Sequence, residues 1–213
     1  MSAAILKHEW RKSEKALYLP KPIPGLVDIP PHKFITLNGE GNPNSEMFSE
    51  SIAALYSVAY GIKMSCTKME SAPEGHCDYT VYPLEGIWDI TEEARKSFTG
   101  RLNKDDLVFK LMIRQPDFVE DAFFAEILDL VKRRKPQRLL DEVQFEVVTD
   151  GRCVQMLHIG PFDDEVKSFE QMEAFAKGKG LERKSKIHRE IYLSDFRRTA
   201  PEKLKTVLRF HLK

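Results

Sequence analysis

A strand–helix–strand–strand pattern occurs twice along this chain, and no other feature limits the fold as strongly: a duplicated unit with one apolar face per element finds its burial against its own copy. The first copy opens with the short strand Lys33-Phe34-Ile35-Thr36-Leu37-Asn38 and turns through Gly39-Glu40-Gly41-Asn42-Pro43-Asn44. Phe48, Ile52, Leu55, Ala59 and Ile62 then recur at three- and four-residue steps, which predicts a helix from about Ser45 to Met64. A loop, a strand over Tyr79 to Ile90, a polar link and a strand over Leu107 to Arg114 complete the unit. In the second copy Val154-Gln155-Met156-Leu157-His158-Ile159 is the strand and Gly160-Pro161-Phe162-Asp163-Asp164 the turn. Its helix carries Val166, Phe169, Met172 and Ala176 on one side and ends near Gly178 and Gly180, where glycine accepts the left-handed cap. Strands over Lys186 to Ser194 and Thr206 to Leu212 follow. The expectation is an α+β domain of pseudo-two-fold symmetry, an antiparallel sheet with helices on one face and a central ligand pocket.

The copies, 33–114 and 153–213, are joined by 115–152, which holds one further helix and a turn. Asp117 with Glu120 reads as a capping-box-like start, and Phe123, Ile127, Leu130 and Val131 make the apolar stripe. Lys132-Arg133-Arg134-Lys135 before Pro136 complements the negative end of the helix dipole. Thr149-Asp150-Gly151-Arg152 is a hairpin signal joining Val143–Val148 to the second copy's first strand. Residues 1–32 are charged, then rich in proline (Pro20, Pro22, Pro24, Pro30, Pro31), which denies a ladder its donors. They read as an extended arm lying on the 33–213 domain, too short for a helix-turn-helix unit of its own.

With 33 basic and 33 acidic side chains the chain has no overall positive field, so neither nucleic acid nor anionic lipid is an expected partner. Apolar runs such as Leu107 to Ile113 are far short of a membrane span, and Met1-Ser2-Ala3-Ala4-Ile5-Leu6 runs directly into charges, so a cytoplasmic location is expected. Cys66, Cys77 and Cys153 show no C-x-x-C spacing, which suits a reducing compartment. His76 beside Cys77 lacks a second ligand pair, so no metal and no cofactor is expected.

Strand parity supplies the candidate chemistry. In Lys186 to Ser194 one face carries Ile187, Ile191 and Leu193, suited to packing under the helices, and the other carries His188, Glu190 and Tyr192, aimed away from them. If that second face lines a pocket, Glu190 is desolvated enough to act as a general base or as counter-charge to a cation; an ordinary solvated strand face explains the same pattern. In the matching strand Tyr82, Leu84, Gly86 and Trp88 share a face, a small gap flanked by large rings that suits a planar guest, while Trp88 equally suits a core position. Tyr56 and Tyr60, four apart on the first helix, would add a polar rim, while a buried helix face explains them equally well. His158 and His211 read as strand histidines with ordinary partners.

Six separated segments then carry a resemblance across nearly the whole chain. Asn38-Gly39-Glu40-Gly41-Asn42-Pro43-Asn44, Ile52-Ala53-Ala54-Leu55-Tyr56-Ser57-Val58-Ala59-Tyr60, Pro83-Leu84-Glu85-Gly86-Ile87-Trp88, Gln115-Pro116-Asp117-Phe118, His158-Ile159-Gly160-Pro161-Phe162 and Glu190-Ile191-Tyr192-Leu193-Ser194-Asp195 resemble, in order, the stand-alone GyrI-like proteins. The resemblance implies the duplicated fold, shared with effector-binding domains of MerR-type multidrug regulators and with SOUL haem-binding proteins. It also implies a glutamate on the second repeat's strand reaching into an aromatic-walled pocket for lipophilic, planar or cationic compounds, a position held here by Glu190. Some stand-alone members hydrolyse cyclopropylindole toxins of the yatakemycin and duocarmycin type, which implies a detoxifying hydrolase. Family members usually have proline after Ser-Asp in the last segment, where this chain has Phe196, a departure that concerns the shape of that loop.

The candidate catalytic residues are therefore Glu190 and Tyr192, and the candidate ligand-binding residues are Tyr56, Tyr82, Glu85, Trp88, His158 and His188. The same set also fits a non-catalytic multidrug-sequestering protein or an effector-binding module, because a carboxylate among rings attracts organic cations without any reaction. Inhibition of a topoisomerase would call for an acidic surface, which the neutral balance does not supply, and nothing marks His158, His188 or His211 as a haem ligand.

Overall fold

The computed structural model describes residues 7–66, 72–97 and 102–213. Residues 1–6, part of the ground for the expected cytoplasmic location, lie outside the described residues, as do parts of the loop and of the polar link of the first copy. The arm contains α1 (Trp10–Ser13), α2 (Lys15–Tyr18) and β1 (Gly25–Ile29). The first copy is β2 (His32–Glu40), α3 (Glu46–Cys66), β3 (Leu84–Ile90) and β4 (Leu107–Arg114), with the short α4 (Glu92–Lys96) in its polar link. The joining segment supplies α5 (Asp121–Arg134) and β5 (Gln144–Val148). The second copy is β6 (Gly151–Ile159), α6 (Glu165–Gly178), β7 (His188–Tyr192) and β8 (Lys205–His211). The unit expected from periodicity is thus present twice, in the expected order.

All eight strands form one antiparallel sheet in the order β1-β6-β8-β7-β3-β4-β2-β5. Read outward from the β7–β3 pair, each strand of one copy is matched by its counterpart in the other, which is the pseudo-two-fold relation. The margins depart from expectation. The arm is not merely extended: β1 is an edge strand paired with β6, from Gly25 opposite Gln155 to Ile29 opposite Gly151. Likewise Thr149-Asp150-Gly151 does not close a hairpin, because β5 pairs with β2 at the far edge (His32 opposite Val148) while β6 lies beside β1. Links of two residues, Pro30-Pro31 and Thr149-Asp150, therefore cross from one margin of the sheet to the other. A dipeptide spans no more than about 10 Å between its flanking residues, so the sheet must curl until its margins nearly meet.

The start of α5 also differs from expectation. Asp117 to Glu120 form a turn and the helix begins at Asp121, because Lys33 Nζ takes the Asp117 and Val119 carbonyls at 2.7 and 2.8 Å and the Glu120 carboxylate at 2.7 Å. With Glu120 engaged by that ammonium, no side chain caps the helix.

Helices α3 and α6 each cover half of one sheet face. Leu55, Val58 and Ile62 of α3 pack in one core with Ile35, Leu37, Leu111 and Ile113, and α5 closes this core with Phe123 and Ile127. Met172 and Ala176 of α6 pack over Val154, Met156, Leu208 and Phe210. At about 1.5–3 kcal/mol for each large side chain fully buried, these layers dominate the stability of the frame. Between them the central strands β3 and β7 remain uncovered by helix, and there a groove opens.

Candidate functional site

The register of the central strands decides which side chains reach this groove. Gly86 lies directly opposite Glu190 and Trp88 opposite His188, and Trp88 in turn lies opposite Phe109. Directly opposed residues share a face, and this is the helix-covered face: Phe48 of α3 packs on Trp88 with ring centroids 5.8 Å apart, and Phe169 of α6 meets His188 edge-on at 4.7 Å. The expected parity is correct and its assignment is reversed. His188, Glu190 and Tyr192 point toward the helices, into the gap between them, whereas buried Ile191 and Arg189 face the other way. The apolar residues of this strand do not mark the helix-covered side: Ile187 is exposed, and Ile191 is buried on the far face beside Arg189, whose partners Glu85 and Asp150 lie far away in sequence.

The groove has a volume of ≈ 1460 Å³ and is bounded by α3, α5, α6 and the β3–β7 centre. Its acidic end is ordered by a chain of hydrogen bonds. Trp88 Nε1–H donates to the Tyr192 hydroxyl oxygen at 2.8 Å, Tyr192 O–H donates to Glu190 Oε2 at 2.8 Å, and His188 Nε2 meets Glu190 Oε1 at 3.1 Å. The second His188 nitrogen faces the Lys186 carbonyl. Both carboxylate oxygens of Glu190 are thus held, and its side chain is only 12% exposed. Burial, then the Glu190 charge, pushes the Tyr192 phenol well above its ordinary value, so it stays a donor.

Gly86 makes this chain possible. A Cβ there would come within 2.8 Å of Trp88 Nε1 and 3.2 Å of the Tyr192 hydroxyl. The gap expected to receive a planar guest is occupied by the Trp88–Tyr192 contact itself. Trp88 is 5% exposed, with Phe48 and Phe109 against it, so it forms the floor rather than an open stacking surface. The rings that stand open along the groove include Tyr56, Tyr60, Phe162, Phe169 and Phe196.

The other candidates divide. Tyr56 lines the groove, and the Leu84 amide donates toward its oxygen while burial raises its phenol. Tyr82 reaches the far end, where its hydroxyl donates to Glu14 at 2.6 Å beside His8. His158 is buried beside the groove without lining it: Nδ1 meets the Ser168 hydroxyl at 2.9 Å and Nε2 the Pro161 carbonyl at 3.1 Å, which binds the strand to the following turn and α6. Glu85 lies on the opposite sheet face, paired with Arg189 at 2.9 Å. There the arm covers a buried polar network in which Arg189 and Arg209 hold Asp150 at 2.8 and 3.0 Å, and Arg114 pairs with Glu14. Burial raises the Asp150 carboxyl, but the His211 hydrogen bond and the two guanidinium charges outweigh it and hold it well below the ordinary range. Burial wins at Glu85, which is raised despite Arg189.

One acid of the groove had no signal in strand parity. Glu165, in the first turn of α6, is 6% exposed, lines the groove, and has one carboxyl oxygen without a hydrogen-bond partner. Only the helix register, Glu165 lying one turn before Phe169 on the covered side, would have indicated it.

Among the described residues no group of three or more His, Cys, Asp or Glu is placed to hold a metal, and no helix is long and apolar enough to cross a membrane. No curated protein matches the chain. Two solved structures of hydrolases from Listeria innocua do: one superimposes with a TM-score of 0.86 at 32% identity, covering 97% of this chain and 100% of that one, and another with 0.88 at 33%, covering 98% and 100%. The C-terminal domain of EcmrR shares the fold alone, with a TM-score of 0.52 at 12% identity over 89% of this chain and 96% of that domain. The GyrI-like small molecule binding domain matches residues 24–213, from the edge strand β1 to the last residue, and the chain belongs to that family.

Proposed function

We propose that this protein is a hydrolase that binds flat, lipophilic compounds in the groove and opens a strained cyclopropane conjugated to a carbonyl, the chemistry of the cyclopropylindole genotoxins. The observation that carries the reading is the half-buried Glu190 carboxylate, oriented by Tyr192 and His188 in a groove walled by aromatic rings. The two hydrolases of about one-third identity, covered over their full length, support the reaction class.

The step is an addition of water. Glu190 takes a proton from a water molecule as its oxygen bonds to the ring methylene; the cyclopropane C–C bond breaks, its electron pair passes through the conjugated system to the carbonyl oxygen, and that oxygen becomes a phenolate. The groove holds reactant and water at attack distance and keeps bulk water from the acid. Tyr192 cannot also serve the phenolate, because its proton is committed to Glu190. Tyr56 is the better donor: it lines the groove and burial raises its phenol, so it keeps its proton, and a well-placed donor of this kind is worth about 2.7–4 kcal/mol.

Glu190→Gln is expected to retain ligand affinity and to slow ring opening by roughly 100-fold or more. Single-turnover mass analysis of a cyclopropylindole substrate, beside a fluorescence binding titration, separates the two effects, and undiminished turnover in the variant removes Glu190 from the mechanism. A second reading, retention of organic cations without reaction, draws on the same carboxylate; substrate recovered unchanged after binding favours it.

A further inference from the structure

Glu165 and Glu190 enter one groove from opposite walls, α6 and β7, and among the described residues neither has a lysine or arginine partner. Glu190 spends both oxygens on Tyr192 and His188. Around Glu165 stand Glu190, the Thr206 hydroxyl of β8 and the Asp163 charge of the preceding turn, the last met by exposed Lys104. His158 of β6 is committed to Ser168 and Pro161, and Trp88 of β3 to Tyr192. A carboxyl buried beside a second carboxylate is disfavoured as an anion both by desolvation and by its neighbour's charge. The first-turn position in α6 favours the anion at Glu165, but a helix terminus contributes only about 0.3–1 kcal/mol. Burial and the neighbouring Glu190 act against it and raise the Glu165 carboxyl well above the ordinary range.

We infer that Glu165 and Glu190 hold a single proton in common, and that this proton is a placeholder: a neutral flat ligand binds with it in place, and a fixed organic cation binds by displacing it to solvent. No bond other than the O–H of the carboxyl pair changes, and the entering positive charge balances the proton that leaves. Glu165 is then the residue that lets one groove accept both ligand classes. The inference rests on the proposed use of the groove as a ligand site and not on ring opening.

The pair is read first without ligand, by carbon-13 NMR of glutamate carboxyl groups in the full-length protein titrated from about pH 4 to 9. Glu165→Gln and Glu190→Gln assign the signals. The expected result is one protonated member at neutral pH, with the Glu165 midpoint moving down in Glu190→Gln; two ionised carboxylates in the wild type, or an unmoved midpoint, overturns the inference. Should Glu165→Gln fail to fold, the wild type and Glu190→Gln still decide it.

Exchange is read by calorimetry in phosphate and in Tris with two probes of one shape, neutral phenanthridine and fixed-charge 5-methylphenanthridinium. Binding of the cation should release a proton and tighten as pH rises through the shared titration, while phenanthridine releases none. In Glu165→Gln the cation should bind roughly 10-fold or more weakly at high pH and lose its pH dependence, with phenanthridine unchanged. Cation binding without proton release overturns the exchange and leaves the functional reading standing. Failure of both probes to bind overturns the exchange together with that reading, while the NMR result still decides the shared proton.

Discussion

At the scale of single residues, Gly86 governs the geometry of the site and His32 the response of the frame to pH. Gly86→Ala would drive a methyl group into the Trp88–Tyr192 contact, which sets the Glu190 carboxylate. Overpacking of this kind costs about 1–3 kcal/mol. Turnover of a cyclopropylindole should therefore fall by roughly 10-fold or more while far-ultraviolet circular dichroism is unchanged; wild-type turnover would show that the relay does not position Glu190. The second position is His32, whose Nε2 is buried without a partner. Burial, then the Arg114 charge, pushes its imidazole down from 6.5 to about 4, against Glu14 and Asp117. A base lowered on folding is protonated first in the unfolded chain, so its contribution is intact above 6.5 and is lost as pH falls through the interval to about 4. The urea midpoint should drop between about pH 7 and pH 5, and His32→Phe should flatten that drop; an equal slope in the variant would assign it to other groups.

Among the elements, the arm and β7 show what patterning in a sequence can and cannot disclose. Helices α3 and α6 and the strand β4 appear within a residue or two of where periodicity places them, because each has one continuous apolar face. Glu190, Tyr192 and His188 were found together for the same reason, since alternate residues of a strand travel together. The direction of that face was not legible: Ile187 and Leu193 are apolar without being in the core, and Arg189 is charged while buried. Sequence patterning treats a buried arginine as solvent-facing, and its acids, Glu85 and Asp150, belong to other elements. Tyr18 O–H reaches Glu85 at 3.4 Å, and Gln155 Nε2 donates to the Ala16 carbonyl at 2.6 Å, so α2 serves as the lid of this polar layer. Arg189→Met would leave two buried carboxylates short of a partner and should cost about 3–5 kcal/mol in equilibrium unfolding. A loss under about 1 kcal/mol would mean that Arg209 alone sustains the layer.

The whole molecule is a duplicated frame with a groove at its axis, and the two acids of that groove, Glu165 and Glu190, both belong to the second copy. The duplication was legible, since it is written in periodicities; the groove between the helices was not, because the empty space between two packed layers has no residue pattern of its own. The margins hold a further consequence. β1, preceding the first copy, completes the sheet of the second, and β5, preceding the second copy, completes that of the first. Each half has lent its own border to the other, as in an exchanged-arm dimer contained in one polypeptide. Fragments 7–114 and 115–213, produced separately, should remain largely unstructured and should assemble on mixing into a native-like heterodimer with the circular dichroism of the intact protein. A cooperative thermal transition in either fragment alone would show that the loan is dispensable. If it is not, the ancestral halves can no longer be parted, and substitutions at one rim are felt across the seam at the other.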